Sequence, residues 1–246
     1  MPVKLSLVIP TYNESSNIGE LCRRITSSLE EIRLDFEIII VDDDSRDLTW
    51  QVAEGLAARD PRIRVIRRFR GKGLAQAVVD GWKNSRGEIL GVIDGDLQHP
   101  PEILKEMSGR ILSPSGPDIV IASRYAEGGS FPGRRWQRVK SRLAIILARA
   151  VFSGILGKIK DPMSGFFILK KEAVPVFSLK PLGYKILLEV LVLGRYAKVD
   201  EVSYQLNFRH EGRSKTGWKQ YFFYLLHLLR LKKRQIFGKK GIFPKK

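Results

Sequence analysis

Cysteine is almost missing from this chain. Cys22 is the single one in 246 residues, which excludes a disulfide framework and a thiolate metal centre. Histidine is nearly as scarce, and His99, His210 and His227 are too scattered to read as a metal cluster. His99 reads as a loop residue beside a site rather than a ligand. No apolar run reaches the ~20 residues needed to cross a bilayer. The longest, Leu143–Leu156 and Tyr221–Leu231, are interrupted by Arg149 and by His227 and Arg230. Met1 to Lys4 lead into an apparent strand without a signal-peptide core. The expectation is a cytoplasmic chain, soluble or peripheral to a membrane, with no transmembrane helix.

Acid is what the second half lacks. Residues 130–246 hold 26 Lys/Arg against 6 Asp/Glu, whereas residues 1–129 hold 17 against 20. The formal charge of +17 therefore lies in the second half. Such a split asks for a polyanionic partner: nucleic acid, an anionic membrane surface or a phosphorylated substrate. No recognisable RNA- or DNA-binding motif is interleaved with the basic residues, which argues against nucleic acid.

What is present is ordinary globular material, 43% hydrophobic and 28% charged, long enough for one large α/β domain. Strand and helix patterns alternate: strands at Leu5–Ile9, Phe36–Val41, Ile63–Ile66, Ile89–Ile93 and Ile119–Ala122, with helices between them. That alternation predicts βαβ units and a mostly parallel sheet. Further strands are predicted at Phe167–Leu169 and Val199–Leu206, and helices at Gln137–Leu156, Ile186–Arg195 and Trp218–Arg234. The apolar face of the last helix suits a core or a membrane interface equally.

The stretch Gly91–Pro101, GVIDGDLQHPP, organises the rest. A buried strand stops on Asp94 and Asp96, which in an extended chain project to the same side. The carboxyl end of such a strand is where open α/β sheets bind ligands. Gly95 lets a ligand approach the backbone. Two close carboxylates are relieved by a shared proton or a cation. Mg²⁺ or Mn²⁺ is the simplest relief, with the Gln98 amide oxygen completing the protein donors.

Two more polar clusters, Pro10-Thr11-Tyr12-Asn13-Glu14 and Asp42–Ser45, follow strands and converge on the same edge. Acidic and aromatic groups there suit a nucleoside, with Tyr12 packed on the base. The rival reading of Asp42–Asp44 is a cap for the helix near Leu48. Gly71-Lys72-Gly73 lacks the spacing of a P-loop and reads as a turn into a helix whose N-terminus faces the nucleotide.

The order VIPTYNE, VDDDS, GLAQAV, DGDLQHPPE, ASRY, DPMSGF and R-x-x-G-x-SK resembles the inverting glycosyltransferases of family two with a GT-A fold, above all the dolichyl- or polyprenyl-phosphate mannose synthases. The resemblance spans about Leu5 to Lys233. It implies that Pro10, Tyr12, Glu14, Val41 and Asp43 hold a nucleotide, with Gly95 and Lys215 also at the donor. Asp94, Asp96 and Gln98 would hold the metal, and Arg124 and Arg209 the phosphates. Arg134, Arg135, Arg138 and Ser141 crowd where these synthases bind the lipid phosphate, and Arg138 with Ser141 are the residues taken forward. Residues 1–217 then form a GT-A domain, split into a nucleotide half (1–125) and an acceptor half (126–217), followed by an amphipathic helix and basic tail (218–246).

The implied reaction moves mannose from GDP-mannose to dolichyl or polyprenyl monophosphate with inversion. The rival donor is UDP-glucose or another UDP-sugar, and a noncatalytic lipid-binding scaffold is opposed by the intact DGDLQ set. The implied partners are the nucleotide sugar, the lipid phosphate, and an anionic membrane surface or a membrane protein. No clear general base is visible. Asp161, before Pro162, is either a base or a turn residue. A phosphomonoester acceptor is already ionised near neutral pH and needs little deprotonation.

Overall fold

The computed structural model describes residues 2–71, 73–130, 135–207 and 218–238, with the side chains of 135–138, 218–222 and 238 outside the description. In chain order the elements are β1 (Leu5–Thr11), α1 (Ile18–Glu31), β2 (Phe36–Asp42), α2 (Thr49–Ala57), β3 (Ile63–Arg67), α3 (Leu74–Lys83) and β4 (Ile89–Val92). A 3-10 turn, Pro101–Ile103, leads into α4 (Leu104–Leu112), then β5 (Ile119–Ser123), α5 (Arg135–Val151) and α6 (Ser153–Leu156). β6 (Phe167–Lys170), α7 (Ile186–Leu193), β7 (Val199–Ser203) and α8 (Trp218–Gly238) complete the described chain.

The strands form one seven-stranded sheet in the order β3-β2-β1-β4-β6-β5-β7. β1, β2, β3 and β4 pair in parallel, as do β5 and β7. β6 runs antiparallel between β4 and β5. β1 and β2 are buried along their whole length, as strands covered on both faces must be. Alternate residues feed two cores. Leu5, Leu7, Ile9, Ile38 and Ile40 meet α1, α2 and α4. Val8, Ile39 and Val41 meet α3, within the core that also takes in α5, α7 and α8. α1 shows why the pattern works: Ile18, Leu21, Cys22, Ile25 and Leu29 are buried at helical spacing. Burial also pushes the Cys22 thiol up to about 12, which leaves it unreactive.

One expectation needs correction, and one rival reading falls. The helix predicted over 137–156 is broken at Phe152 (φ −126°, ψ 41°), just before the weak helix formers Ser153 and Gly154. The rival reading of Asp42–Asp44 as a cap for α2 fails: its N-cap is Leu48, without a side-chain cap hydrogen bond, and Asp47 just ahead of it accepts from Thr49 N at 3.1 Å and Thr49 Oγ1 at 2.5 Å. Tyr224, Leu228 and Leu231 of α8 join the core.

Candidate active site

The carboxyl ends of β1, β2 and β4 open on one cavity of about 670 Å³. Pro10, Thr11, Tyr12, Glu14, Asp43, Asp94, Gly95, Asp96, Gln98 and Arg124 all line it, so the three polar clusters do converge. Each aspartate after β2 has its own task. Asp42 is fully buried and accepts from Thr11 Oγ1 (2.8 Å), Ser45 N (2.8 Å) and Ser45 Oγ (2.6 Å), tying β1 to β2. Asp44 pairs with Arg67 at 2.6 Å. Asp43 faces the cavity, accepts from Gly73 N at 2.6 Å and pairs with Arg68 at 3.1 Å. The buried Arg68 also reaches Asp80 at 3.1 Å, so Asp43, the turn after β3 and α3 form one polar unit. Gly73, Leu74 and Ala77 bring the start of α3 to the cavity, as the Gly71–Gly73 turn implied. Val41 differs: its side chain lies in the core beside Gly81.

Asp94 and Asp96 do share the cavity, but not by strand alternation. β4 ends at Val92, and the acids sit in the turn that follows. Leu97 takes a left-handed conformation (φ 58°), and Gln98 N reaches back to Asp96 Oδ1 at 3.2 Å. Gln98 Nε2 donates to Asn207 O at 3.2 Å, which leaves its amide oxygen for other work. Asp94 Oδ1 is buried without a hydrogen-bond partner, and Oδ2 lies 3.4 Å from His99 Nε2. His99 Nδ1 meets Tyr204 Oη at 2.8 Å. Burial pushes the Tyr204 hydroxyl up, so it stays protonated. If Tyr204 donates to Nδ1, the Nε2 hydrogen is directed at Asp94. Below the carboxylate lies Gly165, where a Cβ would stand 2.3 Å from Asp94 Oδ2. DPMSGF thus includes a glycine because Asp94 occupies that space.

Asp161 is neither a base nor a mere turn residue. It is fully buried and holds Arg124 with both oxygens, Nε to Oδ2 at 2.7 Å and Nη2 to Oδ1 at 2.8 Å. Burial opposes its charge, but the Arg124 guanidinium and its hydrogen bonds hold the carboxyl below the usual range. Arg124, fixed by this planar fork, lines the cavity.

Other wall residues carried no motif in the sequence. Leu182, Gly183, Tyr184 and Lys185 line the cavity from the segment before α7. Lys185 Nζ donates to Met163 O at 3.1 Å. Burial and the nearby Arg124 draw its pKa down to about 8, against the pull of Asp161 and Asp94. Phe223, Tyr224 and His227 contribute from α8. Burial lowers the His227 pKa, and among the described residues its Nε2 has no hydrogen-bond partner. Gly183 and Lys185, between Pro181 and an apolar helix, were the one signal in the sequence for this wall. Ser141 accepts from Tyr125 Oη at 3.0 Å, beside Arg124, but does not line the cavity. The side chain of Arg138 lies outside the described residues, as do Arg209 and Lys215.

A mixed sheet with one reversed strand, a nucleotide-sized cavity at its carboxyl edge and an acidic pair in the turn after β4 define a GT-A-type α/β glycosyltransferase fold. The same architecture occurs in mannosyl-3-phosphoglycerate synthase from Rubrobacter xylanophilus, with a TM-score of 0.70 over 99% of this chain and 77% of that one, at 19% identity. It recurs in glucosyl-3-phosphoglycerate synthase from Mycobacterium tuberculosis, solved with Mn²⁺, UDP and phosphoglyceric acid, with a TM-score of 0.65 over 99% and 80% of the two chains at 21% identity. At those identities the likeness concerns the fold. The chain belongs to glycosyl transferase family 2, whose family model matches residues 6–176.

It is 44% identical, over 94% of its length, to a dolichol-phosphate mannosyltransferase of Pyrococcus furiosus, and spans 64% of that protein. The corresponding enzyme of Saccharomyces cerevisiae is 32% identical, over 94% of this chain and 88% of its own.

Proposed function

We propose that this chain transfers mannose from GDP-mannose to dolichyl or another polyprenyl monophosphate, with inversion at the anomeric carbon. The observation that carries this reading is the joining of Tyr12, Glu14, Asp43, Asp94, Asp96 and Arg124 in one cavity. The named activity of the archaeal and yeast relatives supports the sugar and the acceptor.

Tyr12, Glu14 and Asp43 bind the nucleoside, and Arg124, Arg209 and Lys215 the phosphates, with Arg138 and Ser141 at the acceptor. A divalent metal fits the acidic pair, because Asp94 Oδ1 is buried and unpartnered and the donors are hard oxygens. Asp94, Asp96 and the Gln98 amide oxygen would hold it. When bound, Mg²⁺ or Mn²⁺ neutralises charge on the departing diphosphate. An acceptor phosphate oxygen attacks the anomeric carbon as the bond to the diphosphate breaks, and nucleoside diphosphate leaves. No proton has to move, which agrees with an Asp161 wholly engaged by Arg124.

Labelled nucleotide sugars, offered with polyprenyl phosphate and Mn²⁺, test this directly. Mannose from GDP-mannose should enter the lipid extract, and excess chelator should abolish it. Transfer from UDP-glucose instead would overturn the donor, and label absent from the lipid phase would overturn the acceptor.

No helix among the described residues is long and apolar enough to cross a membrane. The acceptor's phosphate lies at a bilayer surface, and α8 and α5 offer a way to reach it. Beside its core-facing residues, α8 exposes Leu225, Leu229, Ile236 and Phe237, and α5 exposes Val139, Leu143 and Ile146. Tyr224 Oη joins the two helices by donating to Ala144 O at 2.7 Å. The basic residues around them supply attraction of about 1 kcal/mol each near anionic lipid. The chain should therefore sediment with anionic vesicles at low salt, less so at high salt. Leu229→Glu should weaken binding, as should deletion of residues 239–246. Cutting earlier, at residue 230, would remove buried Leu231 and the Arg234 that pairs with buried Glu189. Sedimentation equal with neutral vesicles would dismiss the basic residues as anchor.

A further inference from the structure

We propose that Lys185 is a phosphate-contacting residue of the cavity, its ammonium taking an oxygen of the donor diphosphate or of the acceptor monophosphate. The proposal rests on the transfer reaction above. Lys185 lines the same cavity as Asp94, Asp96 and Arg124 and stands immediately before α7. Its ammonium donates to Met163 O at 3.1 Å, in the loop that also carries Asp161 and Gly165. That anchor uses one of three N–H groups. Its ammonium also lies 4.6 Å from the centre of the Tyr184 ring, and among the described residues it makes no ion pair with a carboxylate. The charges near enough to act on it are Arg124, Asp161 and Asp94. Asp161 is already consumed by Arg124. A partly buried cation whose nearest unspent carboxylate, Asp94, belongs to the acidic pair after β4 is costly in an empty pocket. An anion arriving in the cavity removes that cost, and the compact ammonium suits a single phosphate oxygen.

Lys185→Met and Lys185→Arg in the full chain test this. Calorimetry with inorganic pyrophosphate and with GDP in Mg²⁺ reports the donor side, and the KM for polyprenyl phosphate reports the acceptor side. Contact with the diphosphate predicts that Lys185→Met loses about 10-fold or more in pyrophosphate and GDP affinity, with acceptor KM unchanged. Contact with the monophosphate predicts a comparable rise in acceptor KM, with nucleotide affinity unchanged. Either result supports the assignment, provided Lys185→Arg recovers most of the loss. It is overturned if Lys185→Met matches wild type in all three. Equal damage from Met and Arg, together with a lower Tm, also overturns it, by assigning Lys185 a structural role at Met163. A wild-type chain that binds pyrophosphate through Lys185 yet moves no sugar would sink the transfer reaction and leave this contact standing.

Discussion

Asp94→Asn is expected to lower transfer at least about 100-fold while leaving the protein folded, since stabilising a leaving group electrostatically is worth several kcal/mol. Geometry gives the reason for both halves of that result. Among the described residues Asp94 Oδ1 has no hydrogen-bond partner, and Oδ2 lies 3.4 Å from His99 Nε2. Little native bonding is lost with the charge, and the acidic pair is relieved of its repulsion. Thermal unfolding should be unchanged or slightly raised, the usual relation between a strained functional pair and stability. Mn²⁺ affinity, measured without any sugar or lipid, should fall together with kcat. A variant that keeps wild-type turnover in excess chelator would falsify the metal role.

Asp161→Ala acts in the opposite way, on the fold first. It leaves the Arg124 guanidinium buried without its partner, and breaking one side of such a pair costs about 3–5 kcal/mol. The loss is expected in urea unfolding, accompanied by slower transfer because Arg124 is no longer held at the cavity. Removing both charges should be milder than the sum of the single changes, a coupling that a double-mutant cycle with Arg124→Met reads out. An unfolding free energy within about 1 kcal/mol of wild type would discard the pair as a structural element. The same group sets an acid limit. Its folded pKa lies below its unfolded one, so its contribution is present above about pH 4 and is lost as pH falls through the folded value.

The first half of the sheet was legible because β1, β2 and β4 are buried along their length and read as near-continuous apolar runs. The polar clusters after β1, β2 and β4 were legible for a related reason: parallel strands deliver their following residues to one edge. Legibility ended where a local pattern has two structural meanings. Phe167–Leu169 has the same composition whether its strand is parallel or reversed, and nothing local announces an insertion between β4 and β5. Asp94 and Asp96 met in one cavity through a left-handed Leu97 rather than strand pleating. Asp161 looked like a turn residue because its partner lies 37 positions away, at Arg124. The wall from Leu182–Lys185 and α8 comes from the far end of the chain and belongs to no motif. On α8 the two readings of one apolar helix turned out to concern different faces: Tyr224, Leu228 and Leu231 are core, while Leu225 and Leu229 are exposed.

The position of β6 also bears on the order in which the chain becomes a protein. Among the described residues β4 and β5 are not paired with each other, and β6 (Phe167–Lys170) lies between them in the sheet. Until that segment leaves the ribosome, both strands present open edges lined with residues that end up fully buried, the kind of surface on which nascent chains associate wrongly. The loop just ahead of β6 carries Asp161, which orients Arg124, and Gly165, which makes room for Asp94. Zipping the last gap in the sheet therefore sets both groups in place at once. A half-synthesised chain has neither a closed sheet nor a formed site, because β6, β7 and the far wall of the cavity all come from its second half.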